Sequence, residues 1–116
     1  MKISVGNDIV DVTRFRNKIW KNKNMLENIF LPSEMKNKDV KHLAGLFAAK
    51  EAVTKALDLK PGRWSDIEIS HGKNGKPQVI LSSELRKRVV DCSLSVAHDG
   101  KYAVATVVVL LNEKPK

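Results

Sequence analysis

The hydrophobic pattern changes its period near residue 60, and this change restricts the possible folds more than any other feature. From Val40 to Leu59 the apolar residues recur at helical spacing, with Asp39 as a typical start signal and Pro61–Gly62 as a stop. Beyond that point apolar and polar residues alternate, as they do in strands. A long helix followed by alternating strands predicts an α+β fold in which a helical layer packs on an antiparallel sheet.

Shorter elements are expected around this helix. Lys2–Val5 predicts a first strand that ends at Gly6, and Asp11 or Thr13 is placed to cap a basic helix that reaches about Asn22. The remaining expected elements are a helix start at Leu31–Glu34, a hairpin of Ile67–Ser70 and Gln78–Leu81 around the turn Asn74–Pro77, a short helix at Ser83–Val89, and a hairpin of Ser93–Ala97 and Tyr102–Leu111 around Asp99–Gly100.

The last of these strands, Tyr102–Leu111, is apolar on both faces. Such strands are typically covered on both sides, which favours another subunit as the second cover. A chain of 116 residues is long enough for one modest core. We therefore expect a single domain at residues 1–111 and a flexible tail at residues 112–116.

The formal net charge of +8 favours anionic partners such as nucleic acid, phosphate-rich cofactors, acidic proteins or membrane surfaces.

The single cysteine, Cys92, excludes an intrachain disulfide and a cysteine-based zinc site, and its apolar surroundings predict a small buried side chain. The first residues lack the apolar core of a signal peptide, and the longest apolar run is about half of what a membrane helix needs. We expect a cytoplasmic protein.

Glu51 and Lys55 lie one turn apart on the side of the long helix that is rich in small residues. The large apolar residues share another arc, which predicts the face toward the core: Leu43, Leu46, Val53 and Leu57. Two interpretations of the charged pair remain open. It is either a solvated pair worth about 0.2–0.5 kcal/mol, or Ala44 and Ala48 keep the surface low so that a ligand can approach the two charges.

Asp8 alone would be read as a turn former or a helix cap. Together with Glu51 it offers two carboxylates on rigid elements, a set that suits Mg²⁺ when water and phosphate oxygens complete the coordination. Lys55, one turn from Glu51, could then neutralise charge on a phosphate leaving group. Phosphoryl-type transfer from a pyrophosphate needs this combination of positioning and electrostatics.

Two stretches, GNDIVDVTRF at Gly6–Phe15 and FAAKEAVTKAL at Phe47–Leu57, resemble the signature motifs of the holo-acyl-carrier-protein synthase type of 4′-phosphopantetheinyl transferase. Further stretches follow in that family's order and spacing: DIEI at Asp66–Ile69, NGKP at Asn74–Pro77 and SLSVAHDGKYAVATVVV at Ser93–Val109. The ordered set covers nearly the whole chain. The resemblance implies one catalytic domain that transfers phosphopantetheine from coenzyme A to a serine of an apo acyl carrier protein, releasing 3′,5′-ADP, as a step in fatty-acid and lipid biosynthesis.

The resemblance also implies roles for single residues. Asp8 and Glu51 match the family's metal-binding acids, and Glu51 is a candidate for activating the serine hydroxyl through a water molecule. Lys55 matches a lysine near the pyrophosphate. These three residues are the expected catalytic set, with Mg²⁺ as the cofactor and coenzyme A as the co-substrate.

The nucleotide end of coenzyme A is expected at other residues. His98 matches a histidine associated with the nucleotide, and Gly75 and Pro77 match a turn near the adenine. Lys50 lies in the large-apolar arc, so its stem must snorkel or its amine must meet a phosphate or a neighbouring chain. We include it in the expected coenzyme A-binding set. The resemblance also implies a homotrimer in which the clefts lie between subunits.

Four basic residues crowd the first expected helix: Arg14, Arg16, Lys18 and Lys21. Such a run is ordinarily a solvated face. An acyl carrier protein is small and acidic, however, and a basic helix beside the cleft would steer it and fix its orientation. By analogy with the family, we expect Arg14 to make the main contact.

The chain departs from the family pattern at four places. Asn7 replaces an apolar residue, Leu46 stands where an arginine is frequent, Ala97 stands where Ser or Thr is common, and Asp58–Gly62 replaces a glycine-rich turn. These departures concern the affinity for coenzyme A rather than the reaction.

Four further histidine and tryptophan residues are expected at the surface or in packing rather than in a site: His42, His71, Trp20 and Trp64.

Two alternatives from other classes remain. A nucleic-acid-binding module would explain the charge of +8, but aromatic residues make up only 5% and do not interleave with basic residues. An inactive scaffold of the same fold is disfavoured by the intact Asp8, Glu51 and Lys55. We therefore expect neither a nucleic acid nor a membrane as partner.

Overall fold

The computed structural model describes residues 1–112. The strands are β1 (Lys2–Asp11), β2 (Ile67–His71), β3 (Pro77–Leu81), β4 (Val89–Asp99) and β5 (Tyr102–Leu111). The helices are α1 (Val12–Phe15), α2 (Lys23–Ile29), α3 (Val40–Ala56) and α4 (Ser83–Arg86), with a π-helical segment at Arg16–Trp20 and 3₁₀ turns at Pro32–Met35 and Trp64–Asp66. Asn112 donates hydrogen bonds to the carbonyl oxygens of Lys87 and Arg88. The rest of the expected flexible tail, residues 113–116, lies outside the described residues.

The strands form two antiparallel sheets. β5 lies between β1 and β4 in a three-stranded sheet, and β2 pairs with β3 in a separate hairpin. Both expected hairpins are confirmed, and Gly75 and Gly100 supply the positive φ angles (75° and 57°) of their turns. The α+β class is confirmed, although the strands are divided between two sheets.

β1 is longer than predicted. It runs through Gly6 to Asp11, because every residue from Lys2 to Asp11 pairs in register with β5. The expectation that the strand ends at Gly6 was wrong, since pairing with a neighbouring strand outweighs a weak local pattern. Asp8 therefore lies within a strand, with its position fixed by the ladder on one side.

α3 begins where predicted and ends earlier. The Asp39 carboxylate accepts a hydrogen bond from the backbone N–H of the third helical residue, as an N-cap does. The helix ends at Ala56, because Asp58 adopts a φ of 53° and the N–H groups of Asp58 and Leu59 donate back to carbonyls of the last turn. The expected continuation to Leu59 and the stop at Pro61–Gly62 were therefore wrong.

Both the large and the small residues of α3 are buried. The predicted core arc is confirmed, with exposed fractions of 0–4% at Leu43, Leu46, Val53 and Leu57. Ala44, Ala48 and Ala52 are fully buried as well, because this side of α3 packs on β1 and β5. The small alanine side chains thus allow close packing against the sheet and do not form a surface for a ligand. The interpretation in which Ala44 and Ala48 leave room for a ligand beside Glu51 and Lys55 was therefore wrong.

The first half of the chain differs most from expectation. Asp11 caps α1, as one of the two predicted options, but the helix continues only as the π-helical segment that ends at Trp20. α2 follows and was not predicted; Asn22 caps it and Ile29 anchors it in the core. The expected helix start at Leu31–Glu34 leads only into a single 3₁₀ turn, in which Glu34 directs its carboxylate to the backbone N–H groups of Leu31 and Ile69.

One face of β5 packs under α3 and the other does not. Ala103, Ala105, Val107 and Val109 are buried on the inner face. The outer face of the three-stranded sheet carries exposed apolar side chains: Ile3, Val5, Ile9 and Val108. Within residues 1–112, no helix is long and apolar enough to cross a membrane. The cytoplasmic location stays a prediction.

Candidate active site

A cavity of about 500 Å³ lies between β1, the helical segment that follows it, and α3. We call this cavity the cleft. Its polar lining residues are Asp8, Asp11, Arg14, Lys18, Glu51 and Tyr102, and its apolar ones include Phe15, Ile19 and Phe47. Asp8 and Glu51, 43 positions apart in the sequence, thus line one cavity, as predicted.

Asp8 is held beside α3 by the close packing of β1. Gly6 and Asp8 point to the same face of the strand, so the contact of Gly6 with α3 brings Asp8 next to Lys55. Lys55 Nζ lies 3.1 Å from Asp8 Oδ1 and donates a second hydrogen bond of 2.9 Å to the carbonyl oxygen of Asn7. The Asp8 side chain is 17% exposed and that of Lys55 56%, so more than half of the Lys55 side chain remains accessible.

Glu51 is held by a residue that the sequence did not single out for this purpose. Trp64 lies in the 3₁₀ turn before β2, and its indole Nε1–H donates a 3.2 Å hydrogen bond to Glu51 Oε1. The pair predicted on α3 is therefore not a simple Glu51–Lys55 ion pair. Each of the two charges has a partner on a different element, Trp64 for Glu51 and Asp8 for Lys55.

The donor set of the cleft fits a magnesium ion that shares its coordination with a substrate. Among residues 1–112, no group of three or more His, Cys, Asp or Glu side chains could hold a metal. Asp8 and Glu51 are two carboxylates at one water-accessible cavity, and Mg²⁺ typically takes one or two carboxylates plus waters and phosphate oxygens. The remaining coordination positions would thus belong to water and to a phosphorylated ligand.

Two of the four predicted docking residues face the cleft. Arg14 and Lys18 line it, while Arg16 borders a separate small cavity and Lys21 lies at the end of the π-helical segment. All four side chains are exposed. The helical segment therefore presents two basic residues at the mouth of the cleft and two outside it.

Lys50 lies in the interior, away from the cleft. Its side chain is fully buried, and Nζ forms a 2.7 Å ion pair with Glu34 and donates to the carbonyl oxygens of Ile29, Trp64 and Ile67 at 2.8–3.0 Å. These partners use all three N–H donors of the ammonium group. Lys50 has no donor left for a phosphate, so the expectation that it binds coenzyme A was wrong. Burial lowers the pKa of Lys50, and Glu34 opposes that shift.

The residues expected at the nucleotide lie away from the cleft within one chain. His98 is on β4, and its Nε2 lies 2.9 Å from the carbonyl oxygen of Lys41, which is at the start of α3 and thus at the opposite end of that helix from Lys55. Gly75 is at the tip of the β2–β3 hairpin, and Pro77 lines a cavity of about 490 Å³ between β3 and β4. The chain thus does not bring these residues together with Asp8 and Glu51.

His42 and His71 contact each other, with ring centroids 5.6 Å apart. They lie where expected, in the first turn of α3 and at the exposed end of β2, and they border a cavity of about 290 Å³ that also includes Leu46. Burial, followed by the charge of His71, lowers the pKa of His42. The contact was not predicted because the sequence does not show that β2 passes the start of α3.

Comparison with known proteins identifies the family. Residues 4–107 match the 4′-phosphopantetheinyl transferase superfamily. The chain belongs to that superfamily. It is 41% identical to the holo-[acyl-carrier-protein] synthase of Geobacter sulfurreducens, with 93% of this chain and 97% of that protein covered. It is 35% identical to the enzyme of the same name from Caldanaerobacter subterraneus, with 97% and 98% covered.

Solved structures of this family share the fold. The holo-[acyl-carrier-protein] synthase of Helicobacter pylori, solved in complex with coenzyme A, superposes with a TM-score of 0.81 at 34% identity and covers 91% of this chain and 99% of that one. A coenzyme A complex of the Chronobacterium ammoniagenes enzyme gives a TM-score of 0.82 at 26% identity, covering 97% and 100%. The resemblance inferred from the motifs, including the assignment to this class of enzyme, is confirmed.

Sequence reasoning missed one contact of the candidate site, the hydrogen bond from Trp64 to Glu51. Trp64 was expected to serve in packing, and its ring does pack against Phe47, but nothing in the chain order relates it to Glu51. A signal was available, since a half-buried indole N–H usually finds a hydrogen-bond partner. The loop that follows α3 decides which partner that is.

Proposed function

We propose that this chain transfers 4′-phosphopantetheine from coenzyme A to a serine of an apo acyl carrier protein, giving the holo form and 3′,5′-ADP. The observation that carries the proposal is the convergence of Asp8 and Glu51 at one cleft, with Lys55 paired to Asp8. The superfamily match and the coenzyme A complexes of relatives support the choice of donor and acceptor.

In the proposed reaction the serine oxygen attacks the phosphorus that carries pantetheine. The bond from that phosphorus to the bridging oxygen of the pyrophosphate breaks, and 3′,5′-ADP leaves. Asp8 and Glu51 would hold Mg²⁺ against the pyrophosphate, and the ion would stabilise the negative charge that develops there. Glu51 would also take up the serine proton through a water molecule.

Lys55 has a geometry suited to the leaving group. Its hydrogen bond to the carbonyl oxygen of Asn7 holds the ammonium group beside the middle of β1, while more than half of the side chain stays exposed. A fixed, solvent-facing positive charge stabilises a diphosphate oxygen more strongly than a mobile one, because less reorganisation is needed. We propose that Lys55 exchanges part of its contact with Asp8 for the leaving phosphate.

The nucleotide end of coenzyme A is proposed to bind at His98, Gly75 and Pro77 of a second subunit. Two observations support this arrangement. The three residues lie away from the cleft within one chain. In addition, the outer face of the three-stranded sheet exposes four apolar side chains: Ile3, Val5, Ile9 and Val108. An exposed apolar face of this kind typically marks an interface. A homotrimer with active sites between subunits would cover this face.

The acceptor is proposed to dock on the basic helical segment, which consists of α1 and the π-helical turn up to Lys21. Arg14 and Lys18 line the cleft, and Arg16 and Lys21 extend the positive surface beyond it. An acidic carrier protein would be steered to this surface and oriented with its serine toward Glu51.

The test is conversion of a purified apo carrier protein by this protein, coenzyme A and Mg²⁺, followed by intact-protein mass spectrometry. We expect one serine to gain one phosphopantetheine group, with no conversion when a chelator is present. The matched control is Glu51→Gln, which keeps the size of the side chain and should be folded but inactive. Absence of conversion by the wild type would refute the proposal. Tight, salt-sensitive binding of mixed RNA in that case would favour the nucleic-acid alternative.

A further inference from the structure

Lys50 and Glu51 are neighbours on α3, and both contact Trp64, at opposite ends of that residue. Lys50 Nζ donates a 3.0 Å hydrogen bond to the main-chain carbonyl oxygen of Trp64. The indole Nε1–H of Trp64 donates a 3.2 Å hydrogen bond to Glu51 Oε1. Trp64 is therefore anchored to α3 twice, once through its backbone and once through its ring.

The backbone anchor belongs to a network built around a fully buried ion pair. Lys50 and Glu34 have side chains with no exposed area and lie 2.7 Å apart. The other oxygen of Glu34 accepts a hydrogen bond of 2.8 Å from the backbone N–H of Ile69 in β2. Because an unpaired buried charge is costly, each member of this network keeps its position only when the others keep theirs. The network thus fixes the turn that carries Trp64 against the buried side of α3.

The indole ring is fixed from the cleft side by aromatic packing. Phe47, one turn before Lys50 on α3, contacts the Trp64 ring with centroids 6.4 Å apart, and Phe15 contacts Phe47 at 5.6 Å. Phe15 and Phe47 both line the cleft. The ring of Trp64 therefore has little freedom to turn its N–H away from Glu51.

We infer that Trp64 is a positioning residue for Glu51: the indole N–H holds Oε1 and leaves Oε2 free to ligate a cation in the cleft. A glutamate on a helix surface otherwise samples several rotamers, and fixing one of them costs entropy each time a metal binds. Groups that hydrogen-bond a metal-ligating carboxylate act in this way, and their loss typically reduces metal affinity or activity by about 10–100-fold. The inference rests on the proposed function for the identity of the cation.

The main variant is Trp64→Phe, which removes the N–H and keeps an aromatic ring against Phe47. The chain offers a matched control, Trp20→Phe, because the indole of Trp20 donates instead to the carbonyl oxygen of Lys38, away from the cleft. We expect the Mg²⁺ concentration for half-maximal transfer to rise about 10-fold in Trp64→Phe and to stay unchanged in Trp20→Phe. The KM for the carrier protein should be the same in both. Equal Mg²⁺ requirements in folded variants would overturn the inference.

A second measurement needs neither turnover nor a change at Trp64. In Trp20→Phe the remaining tryptophan is Trp64, so Mn²⁺ titrated as the probe metal should quench its fluorescence saturably. The same titration of Trp20→Phe/Glu51→Gln should show only weak, non-saturating quenching. Saturable quenching that survives the loss of Glu51, or none in the single variant, would overturn the inference even if Trp64→Phe fails to fold.

The two proposals fail in different ways. If the wild type does not modify the carrier protein, the proposed function is wrong whatever the fluorescence shows. If the wild type transfers phosphopantetheine and the Trp64 readouts are flat, the proposed function stands and the positioning role is wrong.

Discussion

Gly6 of β1 lies directly against the main-chain carbonyl oxygen of Ala52 in α3, so close that a Cβ at position 6 would overlap that oxygen. This approach is possible because the helix presents alanines to the strand and the strand has no side chain at position 6. It sets the distance between β1 and α3. Asp8 lies two residues further along the same strand face. The close packing therefore brings the Asp8 carboxylate to within 3.1 Å of Lys55 Nζ.

The variant Gly6→Ala tests this packing. We expect a loss of about 3 kcal/mol or more in the free energy of unfolding, because the obstacle is backbone and cannot rotate away. Urea denaturation monitored by circular dichroism measures the effect. Gly72→Ala is the control, since its Cβ would meet the flexible amide of Gln78, and it should cost less than about 1 kcal/mol. Equal stability of the two variants would contradict the packing argument.

The long elements of the fold could be predicted because their signals are local and strong. The start of α3 at Asp39 and the turns at Gly75 and Gly100 follow from residue chemistry alone. The extension of β1 and the early end of α3 could not be read in this way. The first depends on pairing with β5, almost a hundred residues away, and the second on a left-handed Asp58, a conformation that asparagine or glycine signals more reliably.

Lys50→Met tests the buried ion pair. The substitution keeps the volume of the stem but leaves the Glu34 carboxylate buried without its counter-charge, so we expect a loss of about 3–5 kcal/mol in unfolding free energy. The double variant Lys50→Met/Glu34→Gln removes both charges and should recover part of that loss. A single variant as stable as the wild type, measured by urea denaturation, would show that the pair is not needed.

Lys55→Gln separates catalysis from stability. Since the Lys55 side chain is more than half exposed, its pair with Asp8 should contribute less than about 1 kcal/mol to folding. Removing the charge that we propose to stabilise the leaving group should lower kcat by about 100-fold or more. The control is Lys60→Gln, an exposed lysine beyond the end of α3, which should leave both quantities unchanged. A large loss of stability with retained activity would reverse the assignment of Lys55.

The sequence identified the charges of the cleft better than it identified what holds them. Asp8 and Glu51 were paired through chemistry and motif, and the cleft contains both. The partners of these charges depend on tertiary contacts that no motif encodes. Trp64 reaches Glu51 through a loop, and Lys50 is directed inward because Glu34 and three carbonyl oxygens meet its amine there.

Arg14→Glu tests the docking surface. Because Arg14 lines the cleft and is exposed, reversing its charge should raise the KM for the carrier protein by about 10-fold and change the KM for coenzyme A little. The difference should shrink at high ionic strength, since steering by exposed charges is screened. Arg16→Glu makes the same change on the same segment outside the cleft and should have a smaller effect. Equal increases in both KM values would argue against a docking role.

The His42–His71 contact predicts a loss of stability in mild acid. Burial and the charge of His71 lower the pKa of His42 below 6.5, His98 adds to this and Asp39 opposes it. The folded state therefore binds fewer protons than the unfolded state as the pH falls through this range, and stability present above pH 6.5 decreases through the folded-state pKa. Urea denaturation of the wild type at about pH 7.5 and about pH 5.5 should show this decrease, and His42→Gln should reduce it. His71→Gln, which removes only the repulsion, should give an intermediate slope, and identical pH dependence in all three proteins would refute the prediction.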